Sequence, residues 1–325
     1  MTGVDMDKLE HHICTQQAEE ASLTAQPPLA PVVPQRAMMR FESAKPTVVL
    51  GKLLEFAREL RQEEHPKGPS VDEIARLQSI VEAVDGGAAS LCSEGTLQLL
   101  CSFVHWPHSR LFPVLDALRL ALVEPRNAAF LLSQPEAADS ALAAVRANGL
   151  TLEAGEVNHM MALRLFCNLL ASAPSNAVNE TSLELLLPVL EAAAASEAYT
   201  ASRRGTRIAL STMLLNASVL LAARKSNCER KTPFVCALQP FLTTPQPEIE
   251  VAHAVFSPPA DSQVRFRVVL ALGTLLHEDE DTAALCVALD LNDALMQMKS
   301  AHRHKDKLQS CLAEVMEILH RANHN

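Results

Sequence analysis

Glycine is scarce in this chain: 10 residues in 325, less than half of the roughly 7% of average usage. That weighs against glycine-rich phosphate loops and against a β-rich fold with many tight turns. Aromatic residues make up 4%, with one Trp and one Tyr. None of the eight cysteines stands in a C-x-x-C pair. Several, such as Cys167 and Cys286, lie in apolar runs, so buried reduced thiols explain them better than disulfides or a zinc site. The opening stretch MTGVDMDKLEHHIC is polar and lacks a signal-peptide core. No apolar run reaches the ~18–20 residues of a membrane span, so no membrane partner is expected. The expected location is the cytosol, with the nucleus also open.

Positive charge is in deficit as well. With 28 Lys+Arg against 38 Asp+Glu, the formal net charge is -10, the wrong sign for a nucleic-acid binder. There is no Walker loop, G-x-S-x-G elbow, H-E-x-x-H or G-x-G-x-x-G. No enzyme activity, metal or cofactor is therefore expected. His11-His12 is a weak metal candidate in the N-terminal tail. Cys101 with His105 has the residue types of a thiol nucleophile and its base, at a spacing that an ordinary half-buried helix end also gives.

What is present is an Ala- and Leu-rich helical pattern. Hydrophobic residues make up 48% and charged residues 20%, which excludes disorder over the whole length. Residues 1–37 stand apart: Gln26 to Pro34 carries four prolines in nine positions and predicts a flexible or polyproline-like lead-in. From Met38 to Asn325 the chain predicts successive helices. Pro46 suits a first helical position. Ser70 to Glu73 fits a capping box ahead of Ile74, Leu77, Val81 and Val84, with Gly86-Gly87 to end that helix. Further helices are predicted near 96–104, 111–123, 136–148, 157–172, 180–195 (kinked or split at Pro188), 205–223, 263–277, 281–299 and 305–322. No period-2 strand appears.

Several helices share a pattern. Ala117-Leu-Arg-Leu and Ala162-Leu-Arg-Leu start 45 residues apart, and Asn168 and Asn216 are 48 apart. These spacings are close to the 40–47 residues of armadillo and HEAT repeats. The expected fold is all-α, an armadillo-like α-solenoid with a concave face for an extended partner. Arg164 and Asn168 are four apart and share a helical face, as do Thr212 with Asn216 and Arg267 with Thr274. A carboxamide both donates and accepts, so a row of Asn can pair with an extended peptide backbone. A guanidinium suits a carboxylate. The plainer alternatives are an Arg that reaches solvent or pairs with a nearby acid, and an Asn that bonds a loop carbonyl. Between Arg203 and Lys231 seven basic residues face Glu229 alone, a local excess suited to steering an acidic partner or to a solvated loop.

Four ordered segments closely resemble the PUL domain, the C-terminal module of the phospholipase A2-activating protein family. They are Phe41 to Leu54, Leu111 to Leu120, Ala162 to Asn168 and Phe266 to Leu275, with Leu215-Asn216-Ala-Ser-Val219 as a shorter fifth. The resemblance implies an armadillo-like groove that binds the acidic C-terminal tail of valosin-containing protein, the hexameric AAA ATPase that unfolds ubiquitylated substrates. It implies tail-binding roles for Arg164 and Arg267; the helical geometry adds Asn168, Asn216 and Arg207. The β-propeller and ubiquitin-binding domain that precede the module in full-length members have no counterpart here, so ubiquitin binding is not expected. The expected function is a non-catalytic adaptor in the ubiquitin–proteasome pathway. The alternative is an armadillo scaffold for another acidic or extended peptide.

Overall fold

The computed structural model describes residues 32–85, 91, 93–173, 204–226, 228–243, 260–302 and 306–324. Among them are 13 α-helices and no strand. In chain order these are α1 (Pro46–Gln62), α2 (Val71–Asp85), α3 (Glu94–Ser102), α4 (His108–Ala121), α5 (Pro125–Leu132), α6 (Pro135–Gly149), α7 (Glu156–Ser172), α8 (Arg204–Ala223), α9 (Cys228–Thr243), α10 (Ala260–Leu276), α11 (Glu280–Ala288), α12 (Leu291–Ala301) and α13 (Lys307–His324). The result is an all-α helical repeat solenoid.

Local signals start several of these helices. The Ser70 amide and hydroxyl both donate to Glu73 Oε2, and the Glu73 amide donates back to Ser70 Oγ at 3.2 Å, completing the capping box. Burial opposes the charge on Glu73, yet the Ser70 hydrogen bonds outweigh it and hold the carboxyl below its ordinary pKa. Pro46, Pro125 and Pro135 sit in first turns, where the missing N–H costs nothing.

Helices α4, α7, α8, α10 and α13 pack side by side as a continuous inner row. Its middle members are almost wholly internal: α7 is buried from Met160 to Leu170 and α8 from Ile208 to Leu221. Contrary to the reading of the apolar runs, α8 is long and apolar enough to cross a membrane by length and composition. It is 83% buried in the fold, so it reads as the core helix of this array.

The structure departs from the predicted elements at four places. The helix predicted over 281–299 is two helices, α11 and α12, separated by Asp290 in a left-handed conformation (φ 57°), which Asp tolerates better than most residues. The bend buries Leu291 completely. Helices α5 and α9 were not anticipated; α9 contains both Pro233 and Pro240, and tertiary burial of Phe234, Val235, Leu238 and Phe241 outweighs their helix-breaking tendency. The lead-in predicted through residue 37 is not loose up to that point, because residues 32–37 already lie against the helices. The predicted helix at 180–195 with Pro188, Gly86-Gly87 and His11-His12 fall outside the described residues.

Candidate functional site

The chain ahead of α1 crosses the inner row of helices as an extended segment, and side chains hold its backbone. The amides of Val32 and Val33 donate to the two carboxylate oxygens of Glu314 on α13 at 3.0 and 2.9 Å. The Gln35 amide donates to Thr274 Oγ1 on α10 at 3.0 Å. Asn216 on α8 accepts from the Met39 amide and donates to the Met39 carbonyl, both at 2.8 Å. Asn168 on α7 does the same for Phe41, at 2.7 and 2.9 Å. A buried carboxamide thus replaces a neighbouring β-strand, which is the use that its mixed donor and acceptor character allows.

The two asparagines are equivalent in detail. Each Nδ2 also donates to a carbonyl on the preceding inner helix: Asn168 to Arg119 at 2.9 Å and Asn216 to Cys167 at 3.3 Å, both 49 residues earlier. Structural equivalence therefore follows a 48-residue spacing, and the two Ala-Leu-Arg-Leu runs are offset from it by about one helical turn. That turn gives Arg119 a different task from Arg164. Arg119, 2% exposed, pairs with Asp116 at 2.6 Å and donates to the carbonyls of Phe41 at 2.5 Å and Ser43 at 3.4 Å. Arg119 was not singled out in the sequence, although the repeated Ala-Leu-Arg-Leu pattern contained it. Glu314 carried no sequence signal at all.

On the N-terminal side of these clasp residues the arginines gather. Arg164 is 3% exposed, with its guanidinium 5.0 Å from the centre of the Phe41 ring, a cation–π contact made stronger by exclusion of water. Arg204, Arg207 and Arg267 are half-buried. Arg267 Nη1 and Arg204 Nε are shielded from solvent, and no hydrogen bond reaches either atom. Burial lowers the Arg267 pKa to about 10; the nearby Cys167 works the other way, and Arg204 adds cationic repulsion. Burial also pushes the Cys167 thiol well above its ordinary value, against the pull of Arg267 and Arg164. The cleft is therefore a desolvated concentration of positive charge, and Arg204 stands at the N-terminus of α8, where the helix dipole also favours anions.

The sequence-predicted residues separate into two groups. Arg164 and Arg267 lie together around Cys167 on the cleft side, and Arg207 is half-buried on α8. Asn168 and Asn216 hold this chain's own backbone. Thr212 turns back to bond the Ile208 carbonyl within α8. The basic run from 203 to 231 is not uniformly available for steering: Lys231 is 3% exposed, donates to the Leu275 carbonyl at 3.0 Å and pairs with Asp279 at 2.5 Å. Arg203 is outside the described residues. Cys101 is no ready nucleophile, since burial raises its thiol pKa to about 11. No group of three or more His, Cys, Asp or Glu among the described residues could hold a metal.

Comparison with known proteins places this geometry. The PUL domain profile matches residues 33–314, from a valine of the clasped segment to the glutamate that binds it. The chain belongs to the PUL domain family. A curated relative, phospholipase A-2-activating protein from Xenopus laevis, is 24% identical over 286 residues, covering 88% of this chain and 32% of the relative. The chain thus spans about a third of that protein's length. The PUL match begins inside the stretch that composition marked as a loose lead-in, at Val33, which packs into the notch at Gly273.

Proposed function

We propose that this PUL domain is a non-catalytic adaptor that docks the acidic C-terminal tail of the AAA ATPase valosin-containing protein, in ubiquitin-dependent degradation in the cytosol or nucleus. Family membership supports a protein-interaction role, and the resemblance to the family supplies the partner. The observation that carries the reading is Arg267: a half-buried guanidinium with Arg204 beside it and a shielded N–H without an acceptor. Placing two cations together in low dielectric is unfavourable unless an anion arrives, and a carboxylate matches the guanidinium fork. Arg267 makes the direct contact. Arg164, sealed under Phe41, contributes field and holds the ring that borders the cleft. Another acidic, extended peptide would satisfy the same cleft and is the second reading.

The test is calorimetric titration with the tail peptide of the ATPase from the same organism, using the wild type, Arg267→Ala and Arg267→Lys. Losing a desolvated charge pair costs about 2–5 kcal/mol, so Arg267→Ala should weaken binding by roughly 30-fold or more. Arg267→Lys should also weaken it through the lost fork geometry. An anion raises the lowered pKa of Arg267, so binding near pH 10 should take up a proton in the wild type and not in Arg267→Ala. Failure of the wild type to bind would remove the ATPase as partner; full affinity in Arg267→Ala would remove the site.

A further inference from the structure

On the opposite side of the clasp, where α8 and α10 end, lies a second cavity of about 450 Å³, open on one side and walled by Pro34, Gln35 and Arg36 of the extended segment. It is separated from the arginine cleft by the clasp itself: Asn216 and Thr274 lie between the arginines Arg204 and Arg267 and the cavity residues that begin at Val219 and His277 along the chain. Its remaining charged lining is Lys225, Lys231, His277, Glu278 and Asp279.

Three features of this cavity point to an anionic ligand. First, Lys231 is a buried ammonium with three donors; the Leu275 carbonyl and Asp279 take two of them. A buried donor normally finds an acceptor, and the cavity is where one can be supplied. Second, Arg36 and Lys225 are both exposed at the rim, and no salt bridge joins either to a described residue. With Lys231 and Asp279 neutralising each other, the rim carries two cations against Glu278. Third, Lys225 occupies the position just past α8 with φ 50°. Its amide bonds the Ala222 carbonyl and the Ser226 amide bonds Leu221, a helix ending at which glycine is the usual and less strained choice. A lysine there keeps an ammonium at the cavity mouth.

We infer that this cavity is a second binding site, for an acidic side chain of an extended peptide, held by Lys231 at the floor and by Arg36 and Lys225 at the rim. A peptide suits the cavity because it is half open rather than enclosed and is bordered by three consecutive residues of an extended segment, across which a second chain can lie. The site uses none of the arginines of the first cleft, so it stands or falls separately from the tail-docking reading.

The test uses fluorescein-labelled hexaglutamate, read by fluorescence anisotropy, on the whole chain carrying Arg164→Ala and Arg267→Ala to disable the first cleft. Saturable binding should persist there and should weaken at least tenfold on adding Arg36→Ala and Lys225→Ala, two exposed positions whose replacement leaves the thermal midpoint in place. No saturable binding in the folded background, or binding indifferent to the added changes, overturns the proposal. Glutarate that displaces the peptide at equal carboxylate concentration overturns the peptide as occupant. Should the background fail to fold, a benzophenone-bearing hexaglutamate is crosslinked to the wild type and mapped by mass spectrometry. Crosslinks around Arg36 and Lys225 support the site, and crosslinks confined to the first cleft overturn it.

Discussion

Asn216→Asp tests the clasp by changing one atom's chemistry and almost no volume. Asn216 is fully buried. Its oxygen accepts from the Met39 amide, and its nitrogen donates to the carbonyls of Met39 and Cys167. Aspartate keeps the acceptor, loses both donors and sets a carboxylate oxygen against two carbonyl oxygens. Two lost hydrogen bonds at about 1 kcal/mol each, with a carboxylate oxygen set against carbonyl oxygens in the core, amount to a loss of roughly 2–4 kcal/mol. Protonation of the new carboxyl restores one donor, so burial raises its folded pKa above the unfolded value of about 3.9. The penalty is therefore smallest in acid and grows as pH rises through and above that value. Hydrogen exchange at neutral pH reads this locally: the Met39 amide should exchange about 30-fold faster or more, by the conversion of about 2 kcal/mol. The amides of α4 and α7 away from the clasp should change less. Unchanged exchange at Met39 and an unchanged thermal midpoint would refute the claim that the carboxamide holds the segment.

Two further substitutions probe the ends of the inner row. A Cβ on Gly273 would lie 2.6 Å from a methyl of Val315 and 2.9 Å from a methyl of Val33. Gly273→Ala should therefore cost a net ~1 kcal/mol despite the better helix propensity of alanine, read as a lowered thermal midpoint that Val315→Ala partly restores; a stabilised Gly273→Ala would show that the notch is loose. Asp279→Asn strands the buried Lys231 ammonium and should cost about 3 kcal/mol in urea unfolding. Burial opposes the Asp279 charge, but hydrogen bonds from Lys231 and Thr282 hold its pKa below the ordinary carboxylate range. Its stabilisation is complete above the unfolded pKa and disappears as pH falls through the lower folded value. A variant as stable as the wild type at neutral pH would show that the pair adds nothing.

What could be read in advance depended on whether a residue's partner was local or distant. The capping box at Ser70 and Glu73 and the first-turn Pro46 act within a few positions, and their readings stand. The face shared by Arg164 and Asn168 is likewise set by helical spacing alone. The carboxamides do pair with an extended backbone, but that backbone lies 177 residues away from Asn216 and 127 from Asn168 in the same chain. No spacing rule expresses such a contact, so composition assigned residues 32–37 to a loose lead-in. Lys231 shows the same limit in charge: a count over 203–231 makes it part of a basic stretch, while Asp279, 48 residues on, neutralises it. Arg119 and Arg164 carry the point further. Their runs are identical over four residues, yet the structural repeat is offset from the sequence match by one turn. One arginine therefore grips the Phe41 carbonyl and the other stacks under the Phe41 ring. Sequence resemblance between repeats preserves the helical face and leaves the height along it undetermined, and here height decides whether an arginine grips the segment's backbone or stacks under its aromatic ring.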